Sequence, residues 1–260
     1  MSQDTAVNPY DAPAAELDAA TASSEIRFCP PKGIRGGEGF SIFGDAWQIF
    51  KQAPWLWIGT AFSLFILMIL LSLIPIAGQI ATTLLVTPMA AGLYMGAEEI
   101  RNGGSLKFGH LFAAFSSGKG GRLMGFAVVY LVLYIVAMAV PLLALGQGNL
   151  LPLLLGQEAG SFNPAGMMAG FAVMMIVGLA LSMVYWFAVP LIALQDQKMF
   201  EAMGNSLKGC LKNIWPLTLY GLAMMFWMIV AMIPIGLGLF VMIPVLYISC
   251  YTGYRRIFTE

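Results

Sequence analysis

Long stretches without any charge alternate with short stretches that carry charge on one side only. From Gln52 to Ala97 the chain runs 46 residues without a charged side chain. Leu123 to Gln157 and Ala159 to Gln195 are two more such runs, separated by Glu158 alone. Between Lys212 and Arg255 a further 42 positions are uncharged. One bilayer crossing needs about 20 apolar residues, so the first and last runs each hold two. Pro75 with Gly78-Gln79 breaks the first, predicting membrane helices at about Trp55 to Ile74 and Gln79 to Met95. Gly236 and Gly238 break the last near its middle. The middle runs predict helices at about Leu123 to Ala144 and Met167 to Leu194. The link between them includes the apolar patch Leu150 to Leu155, too short to span and expected at the interface.

The charged stretches have a different period. Phe43, Ala46, Trp47 and Phe50 stand at i, i+3, i+4 and i+7, with Asp45, Gln48 and Lys51 opposite. Phe108, Leu111, Phe112 and Phe115 repeat the stripe. Phe200 to Ile214 does so again. Phe200, Met203, Leu207, Cys210, Leu211 and Ile214 lie on one side, and Glu201, Asn205, Lys208 and Lys212 on the other, at about 3.6 residues per turn. An amphipathic helix followed by a membrane hairpin therefore occurs three times. The first and last copies share punctuation: Pro54, Ile74-Pro75-Ile76, Pro88 and Tyr94 match Pro216, Ile233-Pro234-Ile235, Pro244 and Tyr251 in order. In the fourth predicted helix Gly166, Gly170, Gly178 and Ser182 keep a four-residue period, a spacing that lets membrane helices approach closely.

Composition agrees. Of 260 residues 59% are hydrophobic and 10% charged, against about 25% charged in a soluble domain. The first 25 residues hold five acids and no base, with Ala, Ser, Thr and Pro filling the rest. Residues 1–38 are expected to form a disordered tail with no signal peptide, lacking a basic start and an apolar core, and 39–260 the membrane domain. The turn-rich Asn8 to Pro13 reads as linker or docking motif. Four cations precede helix one, four lie between helices two and three, three between helices four and five, and two end the chain, which is all thirteen. The other three turns hold none. Cytoplasmic loops retain Lys and Arg, so both termini should be cytoplasmic. Trp55, Trp57, Tyr94, Trp215, Tyr251 and Tyr254 gather at the same ends, as an aromatic belt does.

Candidate chemistry is sparse. Cys29, Cys210 and Cys250 form no CxxC pair and read as unpaired thiols. His110 is the one histidine, so neither a metal site nor a catalytic triad can be assembled around it. No ionisable group falls in mid-span, where a coupled transporter usually keeps one. Asp196 reads as a helix cap or interface residue. Tyr134 and Tyr185 fall near the midplane, and Pro190 frees the carbonyl of Trp186. The two tyrosines either line a small polar pocket between helices three and four or each bond a neighbouring helix.

Two patterns carry a resemblance: Gly36-Gly37-Glu38-Gly39 through Trp47-Gln48-Ile49-Phe50-Lys51 to Pro54 and Trp57, and Leu207-Lys208-Gly209-Cys210-Leu211-Lys212-Asn213 with Pro216, then Tyr251 with Tyr254-Arg255-Arg256-Ile257-Phe258. They resemble a bacterial family of integral membrane proteins, described as hypothetical transmembrane proteins of unknown function. The resemblance implies a bacterial inner membrane and six helices, and brings no catalytic residues. The expected protein is all-α: six transmembrane helices as three hairpins, each preceded by a cytoplasmic amphipathic helix. It is expected to be no enzyme, to need no cofactor or metal, and to bind no nucleic acid. Its expected partners are membrane lipids, with a protein partner or a second copy as alternatives. Lys208, Lys212, Trp47 and Phe112 are the candidate contacts. The competing class is a channel or uncoupled carrier lined by Tyr134, Tyr185, Ser182 and Thr218.

Overall fold

A computed structural model describes residues 27–146 and 164–260. The expectations of a disordered segment over 1–26 and of an interfacial patch at Leu150 to Leu155 lie outside the described residues. Among those described, the chain is helical. The elements are α1 (Glu38–Gln52), α2 (Pro54–Ser72), α3 (Ala77–Arg101), a 3-10 turn (Phe108–Phe112), α4 (Ala113–Ser116), α5 (Gly120–Gly146), α6 (Pro164–Trp186), α7 (Ala188–Gln195), α8 (Met199–Lys212), α9 (Ile214–Met232) and α10 (Leu239–Phe258).

Five stretches are long and apolar enough to cross a membrane: Pro54–Ser72, Ala77–Arg101, Gly120–Ala139, Met168–Gln195 and Ile214–Met232. The expected sixth span is helical as α10 but is not among them. Ser249, Thr252, three tyrosines, Arg255 and Arg256 dilute it, and its C-terminal half is wrapped by the other helices. A helix that touches little lipid does not need an apolar surface all round. In α2 the logic is reversed. Only a narrow stripe, Trp57, Thr60, Ala61 and Leu64, is buried, while Phe62, Phe65, Ile66, Ile69 and Leu70 point outward. In hydrocarbon the outward face is as apolar as the core, so the amphipathic signal vanishes.

The two matched hairpins share their turns in detail. Ile76 and Ile235, the third residues of the two Ile-Pro-Ile triplets, both stand in the left-handed region, at φ 59 and φ 54. A β-branched residue rarely does so. After each, a glycine closes the turn: a Cβ on Gly78 would strike the Leu71 carbonyl, and one on Gly238 would strike Ala231. Pro88 and Pro244 sit inside the returning helices α3 and α10, both buried. The repeated punctuation thus encodes a repeated conformation.

Three expected helices differ from their predicted form. α1 begins five residues before Phe43, and its buried face is Gly39, Ile42, Ala46, Ile49 and Phe50, with Phe43 and Trp47 on its flank. Gly39 packs against the Pro216 carbonyl at the start of α9, where any side chain would collide. The second stripe forms no continuous helix. It is a 3-10 turn and one α-turn, with Leu111 and Ala114 buried and Phe108, Phe112 and Phe115 exposed. The Lys107 N–H donates to His110 Nδ1 at 2.9 Å, so the histidine caps this turn. Gly92 of α3 lets the turn sit on the α3 backbone. Finally, the fourth predicted helix breaks at Trp186–Phe187, because Pro190 cannot donate to the Trp186 carbonyl.

The tail expected to extend to Glu38 is fixed from Arg27 onward. Phe28 pairs with Thr259 as an antiparallel bridge. Cys29 and Lys32 donate backbone bonds to the carbonyls of Phe258 (2.8 Å) and Ile257 (3.0 Å). Residues 27–34 form an extended strap that ties the start of the described chain to its end.

Candidate functional site: a cationic and aromatic rim

The ends of α3, α7 and α10, both ends of α8 and the starts of α5 and α9 meet at one end of the bundle. Contacts there run through residues that are small or paired. A Cβ on Gly209 of α8 would enter the Phe258 ring of α10. Asp196, left-handed at φ 53, ends α7. Its carboxylate takes Lys119 at 2.9 Å and Arg122 at 3.2 Å. The same two side chains also donate to the carbonyls of Ala193, Asp196 and Gln197. Cations on the carbonyl end of a helix complement its dipole, so Asp196 is both cap and ion-pair partner. Arg256 bonds Asp45 of α1 through Nε (2.9 Å) and Nη2 (2.7 Å).

One charged group lies deeper. Glu98, at the end of α3, accepts from the Tyr251 hydroxyl and stands 3.7 Å from Arg255 Nη1. The two charged side chains are only 12% and 15% exposed. Neither residue of this pair was among the candidate residues read from the sequence, and their burial was not expected from it. The available signal was that Glu98 directly follows an uncharged run while Arg255 directly ends another.

The α8 helix has three faces. Ala202, Ser206, Gly209 and Cys210 are buried against the break between α6 and α7. The Ser206 hydroxyl donates to the Met183 carbonyl (2.7 Å) and accepts from the Phe187 N–H (3.0 Å), satisfying groups that the break frees. The Cys250 thiol donates to the freed Trp186 carbonyl at 3.1 Å. Burial, followed by the nearby Cys250 sulfur, pushes the Cys210 thiol up to about 12. Roughly 100° away on the helical wheel lies the predicted apolar face. Phe200 (71%) and Leu211 (52%) of it are exposed, as are Ile214 and Trp215 at the start of α9. Glu201, Lys208 and Lys212 flank it on the other side. The packing of α8 on its own protein therefore takes only one edge of the apolar stripe, Cys210 with the half-buried Met203 and Leu207.

The predicted contact residues fall on this rim. Lys208 is exposed. Lys212 is exposed too, but its ammonium donates to the Pro31 carbonyl of the strap at 3.0 Å. Trp47 is exposed, stacked between Phe43 and Phe50 of its own helix. Phe112 is exposed beside Phe108 on the 3-10 turn. The tyrosine pair is not brought together. Tyr185 shares a hydrogen bond with Thr87 (3.2 Å), stacks on Phe126 and meets the Tyr130 ring at a tilt. Tyr130 donates to the Leu181 carbonyl at 3.3 Å. Tyr134 is exposed on the far side of Tyr130. The aromatic partner of Tyr185 is thus Tyr130, one helical turn from the expected Tyr134, and each buried hydroxyl bonds a neighbouring helix.

Two apolar grooves open sideways on either flank of α9. One, of about 290 Å³, lies between α6 and α9 below Cys210 and Ile214. Ser182 and Thr218 line it, but both hydroxyls bond carbonyls of their own helices. The other, of about 560 Å³, lies between α9 and α10 below Phe43 and Trp47 of α1.

The chain is similar to a protein of Burkholderia thailandensis named "Probable inner membrane protein", with 28% identity over 249 residues, covering 85% of this chain and 90% of that one. No protein-family model matches the chain, and no solved structure does. With five helices of membrane length and this likeness, the chain is a multi-pass membrane protein.

Proposed function

We propose that this is a bacterial inner-membrane protein that crosses six times, keeps both termini in the cytoplasm, and acts without catalysis by holding anionic lipid at its cytoplasmic rim. The observation that carries the reading is the exposed apolar edge of α8 and the start of α9. Phe200 and Leu211, with Ile214 and Trp215, are exposed on the same side as Lys208, although α8 packs on the bundle mainly through Ala202, Ser206, Gly209 and Cys210. An interfacial helix of this kind sinks its apolar side about 5–10 Å into the headgroup boundary and sets its lysines against anionic headgroups at about 1 kcal/mol each. Reconstituted protein carrying Lys208→Gln should lose about 1 kcal/mol of its preference for anionic over zwitterionic lipid, with an unchanged unfolding temperature. An unaltered preference in that variant would remove the lipid reading of α8. The competing class, a channel or uncoupled carrier, would need a polar path. It finds support only in Ser182 and Thr218 of the groove beside α9.

Orientation follows from the charge map and is open to direct test. All thirteen cations lie in the chain ends and the segments joined to the rim. The turns at Gly78 and Gly236 should therefore face the periplasm. Alkaline phosphatase fused at either site should be active, and the same fusion after Arg122 inactive. The reverse pattern would invert the topology. A third site, Gly160, lies outside the described residues and should also report periplasmic.

A further inference from the structure

We infer that the groove between α9 and α10 is a seat for one anionic phospholipid, its acyl chain under Phe43 and Trp47 and its phosphate at Lys51. The inference rests on the lipid-binding reading of the rim and names a second, separate place for it. The groove's walls are Trp227, Val230, Val241 and Met242, with Phe43 stacked on Trp227 at 5.7 Å as its roof. Gly238 packed on Ala231 closes its far end. No side chain lining the groove carries a charge or an amide, so a polar solute finds nothing to bond there. The two indole N–H groups of Trp47 and Trp227 are the exceptions, and Trp47, on α1, suits the level of the headgroups. The volume, about 560 Å³, is in the range of small-molecule pockets, and the open side faces the hydrocarbon.

Charge selects the kind of lipid. Lys51 stands one turn beyond Trp47, so the two share a face of α1. It is exposed and forms no ion pair or hydrogen bond among the described residues. The other charges of α1 are committed elsewhere, because Asp45 and Glu38 hold Arg256. Among the described residues the one charge of α1 without a partner is therefore a cation, one helical turn from the groove-lining Trp47. That is the complement of a phosphate with no balancing amine, as in a phosphatidylglycerol.

Native mass spectrometry of the full chain, released from detergent after mixing with phosphatidylglycerol and phosphatidylethanolamine, reads this directly. The wild type should retain one phosphatidylglycerol per chain. Lys51→Gln should lower that retention about fivefold, the weight of one cation near an anionic surface, and leave phosphatidylethanolamine unchanged. Val241→Phe, which fills the groove, should abolish tight retention of both. A wild type that retains no lipid overturns the proposal. So does retention equal to wild type in both variants, or a second copy of the chain that Val241→Phe displaces. Lys208→Gln in the same assay separates the two readings. Loss there with Lys51→Gln silent would leave the α8 surface standing and remove the groove. Loss in Lys51→Gln with Lys208→Gln silent would do the opposite.

Discussion

Arg255→Met should destabilise the detergent-solubilised protein by about 3–5 kcal/mol, the usual result of leaving a buried charge without its partner. Glu98 would then keep only neutral donors, the Tyr251 hydroxyl and the Asn102 amide. The double variant Arg255→Met with Glu98→Gln should recover most of the loss. The geometry explains why. The ion pair is long, at 3.7 Å, and both Nε and Nη1 of Arg255 are buried without a hydrogen bond. An arginine held this way has been desolvated without full compensation, so removing both charges costs far less than removing one. Thermal unfolding followed by tryptophan fluorescence gives the comparison. A double variant as unstable as the single one would show that Arg255 matters through packing rather than charge.

The same pair marks the limit of what hydropathy reveals. The uncharged runs located α2 and α5 to within about three residues at either end, because a bilayer imposes length and apolarity on each of them. It imposes neither on a helix that others enclose. The α10 helix carries the densest set of tyrosines and both closing arginines, and its burial was hidden in the sequence for that reason. Small residues carried the opposite signal. Gly39, Gly92 and Gly209 mark places where backbone or ring presses on backbone. In the sequence they are three glycines among 29, with nothing to set them apart.

The amphipathic segments were legible as segments and misleading as faces. In water an apolar stripe points at the protein. Beside a membrane it has two apolar places to go. In α1 the stripe turned partly inward through Ala46 and Phe50, joined by Ile42 and Ile49 from outside it, leaving Phe43 and Trp47 as the roof of a groove. In α8 only its Cys210 edge is buried, and Ala202, Ser206 and Gly209 from outside the stripe made the rest of the contact. Ser206 is decisive there. Its hydroxyl pairs with the two backbone groups freed where α6 gives way to α7, a need set by Pro190, sixteen positions earlier. The Ile-Pro-Ile repeat, by contrast, was visible as punctuation and proved to be a shared backbone conformation. Turns with a left-handed residue are local, and local constraints leave local traces.

Asn213→Ala should release the strap and cost about 2–4 kcal/mol, since each buried polar group left unpaired costs about 1–3 kcal/mol. Asn213 is fully buried between α8 and α9. Its Oδ1 accepts from the Ile34 N–H at 2.7 Å, and its Nδ2 donates to the carbonyls of Lys32 and Gly209, both at 2.9 Å. One side chain thus fastens the strap to the end of α8, where Lys212 adds a bond to Pro31. Trypsin can cut after Lys32 and Arg35, so exposure of the strap has a direct readout. In the wild type both sites should resist, because Lys32 also bonds the chain's far end through its backbone N–H and its ammonium. In Asn213→Ala they should be cut early, before the membrane helices unfold. Asn213→Asp keeps the acceptor for Ile34 and loses both donors, so it should fall between the two. Lys212→Gln, which removes one exposed bond and leaves Asn213 in place, should change cleavage little. Cleavage in Asn213→Ala no faster than in the wild type would mean that the bridge between Phe28 and Thr259 holds the strap alone. In that case the α8–α9 junction would not report on the tail, and coupling of the strap to α8 would lose its physical connection.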